Sequence, residues 1–223
     1  AGSTINADIT LSAGAVTLGQ SGGDGGVSGD VSVTNKAKVW TKGAAATGIL
    51  AQSVAGGGGV ANTTVNGDLG ISMDYTHGGD GGDGGDAGNV TVENDGEVQT
   101  DGDGSVAIFA QSLGGGGGNG AVTASGAVSM IDVNIGVGGN GGSGGTGGTV
   151  NVSNKGKLTT SGDHSSAVVA QSLGGSGGNA GMLAIGSATA GEISGSINVG
   201  VGGSGGDGGI ADEVKVDNSG VIA

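Results

Sequence analysis

The chain states one pattern three times. Ala51-Gln52-Ser53, Ala110-Gln111-Ser112 and Ala170-Gln171-Ser172 each close an apolar, strand-like run and lead into a glycine tract. Their spacings are 110 − 51 = 59 and 170 − 110 = 60 residues. A second signature keeps the same step: Val90-Thr91-Val92-Glu93-Asn94-Asp95-Gly96 and Val150-Asn151-Val152-Ser153-Asn154-Lys155-Gly156, with further copies at residues 31–37 and 214–220. A fixed period means units that stack on one another and share one continuous core. Residues 1–223 therefore read as a single repeat array, with units at 1–44 (partial), 45–103, 104–163 and 164–223.

The period also explains an unusual composition. Aromatic residues are only Trp40, Tyr75 and Phe109, and much of the apolar content is Ala and Val. A compact globule fills its core with larger side chains, whereas a thin stacked coil needs only small and β-branched ones. The 60 glycines would suggest disorder if scattered. Here they recur beside runs of Val, Ile and Thr, which favours folded repeats. Each ordered glycine costs about 0.5–1 kcal/mol of backbone entropy against Ala, and strand stacking must offset that.

Three strand-like runs mark each unit. The first alternates Val90 and Val92 with polar residues, as a half-buried strand does. It reaches a corner at Asn94-Asp95-Gly96, residue types that tolerate positive φ, and continues briefly as residues 97–100. Asn35, Asn94, Asn154 and Asn218 hold this corner position in the successive copies. The second run, residues 49–54, 108–113 and 168–173, places Ile49, Ala51 and Ser53 on one face and Leu50, Gln52 and Val54 on the other. Both faces are substantially apolar, which predicts a strand covered on both sides. If copies stack in register, Gln52, Gln111 and Gln171 form an amide ladder. The third run sets Leu69, Ile71, Met73 and Tyr75 against Asp68, Gly70, Ser72 and Asp74. Ile131, Val133, Ile135 and Val137 repeat it, as do Ile197, Val199 and Val201. Short solenoid repeats take roughly 20–30 residues per turn. A unit near 60 thus predicts two rungs, or one rung plus a glycine-rich excursion.

Two glycine tracts occur per unit. One follows Ala-Gln-Ser. The other runs in threes, as in Gly78-Gly79-Asp80-Gly81-Gly82-Asp83-Gly84-Gly85. Collagen is a poor reading, since Pro is absent. Gly-Gly-Xaa matches an extended three-fold, polyglycine II-like helix with three residues per turn; mobile loops are the alternative.

Little chemistry is visible. Asp80, Asp83 and Asp86 are weak calcium candidates, because the calcium-binding nonapeptide pattern is broken at Gly85 and by Asn140, Ser143 and Ser204 in other copies. No Gly-Lys-Ser/Thr ending makes a phosphate loop. His77 and His164 do not recur, Ser53, Ser112 and Ser172 sit within strands, and no catalytic acid, base and nucleophile assemble. The expectation is a protein that is not an enzyme and needs no cofactor. Lack of Cys excludes a disulfide framework. A net charge of −14 argues against nucleic acid and against anionic lipid headgroups. No signal peptide and no stretch long enough to span a bilayer is visible.

The combination of Val-x-Val-x-Asn-x-Gly with Ala107-Ile108-Phe109-Ala110-Gln111-Ser112-Leu113-Gly114-Gly115-Gly116-Gly117-Gly118 resembles the passenger region of large bacterial autotransporter adhesins. Residues 48–53 and 167–172 carry the same element, and the resemblance covers nearly the whole chain. It implies a right-handed parallel β-helix, cell-surface or secreted, engaged in adhesion, aggregation or biofilm. Such proteins also carry a signal sequence and a C-terminal translocator barrel, neither of which is visible in this sequence; membrane contact is expected only through that translocator. No site residues transfer from the family.

The leading expectation is a structural adhesin or fibre segment that self-associates or continues into further repeats, with a host or bacterial surface receptor as a further partner. A module binding a glycan or a neighbouring cell through its glycine-rich faces is the alternative, weakened by scarce aromatics. Ice binding is a third, weakened by the lack of regular Thr columns.

Overall fold

The computed structural model describes residues 5–10, 15–189 and 195–223, and these contain strands but no helix. One turn of the coil takes one whole repeat. The first carries β1 (Ile5–Thr10), β2 (Ala15–Leu18), β3 (Val31–Asn35), β4 (Val39–Thr41) and β5 (Thr47–Val54). The second carries β6 (Thr63–Leu69), β7 (Ser72–His77), β8 (Val90–Asn94), β9 (Val98–Thr100) and β10 (Val106–Leu113). The third carries β11 (Thr123–Ser129), β12 (Ile131–Val137), β13 (Val150–Asn154), β14 (Lys157–Thr160) and β15 (Ser166–Leu173). The last begins with β16 (Leu183–Thr189), β17 (Gly195–Val201), β18 (Val214–Asn218) and β19 (Val221–Ile222). Each strand pairs in parallel with its copies, giving five sheets: β1-β6-β11-β16, β2-β7-β12-β17, β3-β8-β13-β18, β4-β9-β14-β19 and β5-β10-β15. Glu192, which follows β16, lies outside the described residues.

The sixty-residue period thus corresponds to one broad turn, and the glycine tracts belong to its wall. The sequence reading also needs correction at two bends of the chain. Residues 69–75 are not one strand: the chain folds back at Gly70, whose φ of +129° only glycine adopts freely, and resumes as β7. The Asn-x-Gly corner uses no positive φ among the described residues, where the non-glycine examples are Ala45 and His164. Gly96 is needed there for space, since a Cβ would sit 2.1 Å from the Ala37 carbonyl oxygen of the turn below.

The cross-section has two lobes. In one, β8, β9 and β10 with their copies surround an apolar core of Ile49, Ala51, Val90, Val92, Val98, Ala107, Ile108, Ala110, Val150, Val152 and Leu158. Fully burying one such aliphatic side chain is worth about 1.5–3 kcal/mol. The expectation that β5, β10 and β15 are covered on both faces fails: Ile108 and Ala110 are buried, but Leu50 and Val54 are more than half exposed (57% and 54%). The other lobe is an arm in which β6 folds against β7, and β11 against β12. Its interior is polar: Thr64, Asn66, Asp68, Ser72, Asp74 and Thr76 are buried, while their apolar neighbours point outward.

Between the lobes the two glycine tracts run antiparallel and touch backbone to backbone. Gly115, Gly118 and Ala121 donate N–H to Gly85, Gly82 and Gly79 at 2.9, 2.8 and 2.9 Å. Gly82 and Gly85 in turn donate to Gly59 and Gly56 of the turn below, both at 2.9 Å. The bonding repeats every three residues along each tract. No side chain fits: a Cβ on Gly118 would lie 1.9 Å from the Gly59 oxygen, whereas one on Gly57 meets nothing closer than 3.4 Å. Ser176 occupies the Gly57-equivalent position in the third turn, as that space allows. Gly118→Ala should therefore destabilise by about 3 kcal/mol, the upper range for overpacking, and Gly57→Ala by less than about 0.5 kcal/mol, read by urea denaturation.

Candidate functional site

The repeated polar residues form columns along the coil axis. At the corner, Asn35, Asn94, Asn154 and Asn218 donate amide to carbonyl in succession at 2.7, 2.7 and 2.6 Å. Each also donates to the oxygen of the residue two ahead, as Asn94 Nδ2 does to Gly96 at 2.9 Å. Asn94 and Asn154 are fully buried, so this ladder lines the wall from inside. Gln52, Gln111 and Gln171 form the second ladder, each amide donating to the next carbonyl at 3.0 Å. Parallel pairing puts them in direct register, and they lie on the exposed face.

A third set of columns lies on the Gly-Gly-Xaa tract. Its three N–H groups have three different acceptors. Gly81 and Gly84 donate to the backbone of the next turn, at Asn140 and Ser143 (2.8 and 2.7 Å). Gly82 and Gly85 donate across to the facing tract. Asp80 and Asp83 donate to side chains of the turn below, Ser21 Oγ (3.1 Å) and Asp24 Oδ1 (3.0 Å). The same arrangement continues upward, where Asp80, Asp83 and Asp86 accept from the N–H of Asn140, Ser143 and Thr146, each at 2.7 Å. Any short side chain with an oxygen fulfils this role, which is why Asp, Asn, Ser and Thr interchange at this position. Hydrogen bonds from the Thr146 N–H and hydroxyl hold the Asp86 carboxyl below its usual pKa. Asp80, Asp83 and Asp86 thus have separate partners, and among the described residues no group of three or more His, Cys, Asp or Glu could hold a metal ion.

The serine of Ala-Gln-Ser has a role that sequence reasoning missed. Ser112 Oγ donates to the Gly88 oxygen (2.9 Å) and accepts from the Gly148 N–H (2.7 Å). Ser53 does the same with Gly29 and Gly88. This buried hydroxyl pins β5 and β10 to the glycine tracts of two successive turns. The recurrence of Ser one residue after Gln was the available signal. His77 ends β7 half-buried, its carbonyl accepting from Gly19 N–H at 2.7 Å. His164 sits exposed in a tight turn at φ +56°. The two histidines share no site. The single tryptophan is engaged: its Nε1 donates to Asp101 (2.6 Å) and the Lys42 ammonium lies 3.9 Å from its ring centroid.

The arm interior concentrates buried carboxyls. Asp132 accepts from Ser72 Oγ and Asn134 Nδ2, both at 2.7 Å. Asp74 is raised above the usual carboxylate pKa, first by burial and then by the Asp68 and Asp132 carboxyls, against one hydrogen bond from Ala15 N–H. Nothing in the sequence pattern pointed inward here, because the polar face of an alternating strand normally faces water.

No protein-family model, curated protein or solved structure matches this chain.

Two outcomes follow from these columns. Asn94→Ala removes the donor to Asn154 Oδ1 and Gly96 O and leaves Asn35 Nδ2 with only its bond to Ala37 O, and should cost about 2–3 kcal/mol in urea denaturation. Gln111→Ala, on the exposed ladder, should cost less than about 1 kcal/mol. Asp74 binds its proton more tightly when folded than when unfolded. Its contribution therefore favours folding below the ordinary carboxylate range near pH 4 and is lost as pH rises through the raised value. Asp74→Asn should raise Tm at pH 7 and flatten the pH dependence just above pH 4; an unchanged or lowered Tm at pH 7 would contradict this.

Proposed function

We propose that this chain is a structural segment of a bacterial cell-surface adhesin or secreted fibre. It is read as a right-handed parallel β-helix filled by polyglycine II-like strands, mediating adhesion, aggregation or biofilm through a stiff repetitive scaffold and its own self-association. The observation that carries this reading is the continuity of bonding along the axis. Backbone hydrogen bonds step from Gly59 to Gly82, Gly118, Gly142, Gly178 and Gly206 without interruption, beside the Asn and Gln ladders. A structure bonded along one axis at every turn resists bending and pulling along it, which a surface stalk requires. Along the glycine tracts the recurring side-chain oxygens accept from the backbone of neighbouring turns. Calcium has no part in this reading.

Two measurements test it. Hydrogen exchange should slow the spine glycine amides by roughly a thousandfold or more relative to an unfolded chain, on the scale of global stability. Exchange at the unfolded rate would remove the scaffold. Non-aggregating cells displaying this chain should clump and settle faster than the same cells without it; equal settling would remove adhesion while leaving the fold intact.

A further inference from the structure

The arm is built inside out. Its buried face is polar, and both outer skins are apolar. On one skin, register places Val16, Tyr75, Ile135 and Val199 in a single column across β2, β7, β12 and β17, and they are 73%, 37%, 38% and 47% exposed. This column is a ridge parallel to the coil axis. On the other skin, Gly67, Gly126 and Gly186 stand in register across β6, β11 and β16. With no side chains there, they form the floor of an open groove of about 530 Å³ whose wall includes Leu69 and Val128.

We propose that the ridge of one copy of this chain seats in the glycine groove of another, so that arms stack skin to skin. This rests on the reading of the chain as a self-associating surface scaffold and names the surface. Shape supports a second copy as the occupant. Ridge and groove run in the same direction and repeat with the same inter-strand step of about 4.8 Å, and facing sheets pack about 10 Å apart. Charge supports it too. All six lysines, Lys36, Lys38, Lys42, Lys155, Lys157 and Lys215, lie on or beside the strands and corners of the other lobe. The arm strands therefore carry no cation to hold an anionic lipid headgroup. Their described carboxyls Asp68, Asp74 and Asp132 are buried inside, so the docking skins bring no like charges together in a chain of net charge −14.

The contact joins two different surfaces, so it does not close on itself and propagates as a row. Four strands of four to seven residues present about 400 Å², against about 800 Å² per partner in a standard interface. Pairing of two such segments is accordingly weak, and strengthens with the number of turns in register.

The chain contains no Cys, which makes site-specific cross-linking free of background. Val128→Cys on the groove wall and Ile135→Cys on the ridge are prepared as separate chains, one isotope-labelled, and treated with a short bis-maleimide. The expected result is a crossed dimer, joining the Val128→Cys chain to the Ile135→Cys chain, at least several-fold above either like pair. Adding Gly126→Val to the Val128→Cys chain fills the groove. A Cβ at Gly126 meets nothing closer than 3.5 Å, so the fold should survive and the crossed product should be lost. Like pairs forming as readily as the crossed pair would overturn the proposal. So would the absence of any dimer in a chain whose spine amides remain protected, an outcome that leaves the scaffold reading standing. Flotation of the wild-type chain with neutral phosphatidylcholine vesicles, without a crossed dimer, would assign the skins to lipid and overturn it as well.

Discussion

Backbone-to-backbone contact between two glycine tracts is the constraint on which the rest of the coil depends. Opposing walls of a coil are normally held apart by side chains. Here they meet directly, because Gly79, Gly82 and Gly85 face Ala121, Gly118 and Gly115 with carbonyl and N–H groups alone. That contact divides the cross-section into two lobes. It also explains the glycines of the two tracts: their entropic cost, about 0.5–1 kcal/mol each, is set against hydrogen bonds between backbones that at positions such as Gly82, Gly85, Gly115 and Gly118 lie too close to admit a Cβ.

The remaining polar groups follow from the same geometry. A three-residue repeat turns its three N–H groups in three directions, and each direction has its acceptor: the facing tract, the next turn, and a side-chain oxygen from the turn below. Buried backbone groups left unpaired are costly, so Asp24, Asp80, Asp83 and Asp86 serve the backbone first. The serine of Ala-Gln-Ser does the same at the end of the tract. Acidity at these positions is a consequence of choosing a short acceptor that also stays soluble on an exposed face.

The two lobes solve opposite problems. Val90, Val92, Val150, Val152 and Leu158 bury a conventional apolar core. The arm hides Asp68, Asp74 and Asp132 and shows Met73, Tyr75, Ile131 and Ile135 to the outside. In the last turn that interior changes character: Leu183 and Ile185 reach toward Gly136 and Gly200, which have no side chains to obstruct them. The buried Asp74 carboxyl favours protonation, and an apolar skin favours burial against a partner. Both features set the arm apart from the apolar lobe beside it.

The sequence alone determined the period and, for copies stacked in register, the glutamine ladder of Gln111 on Gln52. That one turn takes a whole unit, so that copies do stack on copies, and that Asn94 bonds to Asn35 and Asn154 as a second ladder, were decided by the tertiary structure. Direction was not legible. Alternation in residues 69–75 and 131–137 shows two faces but cannot say which is inside, and the usual inference from hydrophobicity points the wrong way for Asp74 and Asn134. The strands β6 and β11 are not marked by hydrophobicity because Thr, Asn, Ser and Gly make up most of them, and β16 is rich in Ala, Gly, Ser and Thr. The partnership of the two glycine tracts was equally hidden. Gly82 and Gly118 are 118 − 82 = 36 residues apart and have no side chains to mark them as neighbours. Only the closed turn brings them together, because contact between two bare backbones depends on where the chain returns and not on any residue's own preference.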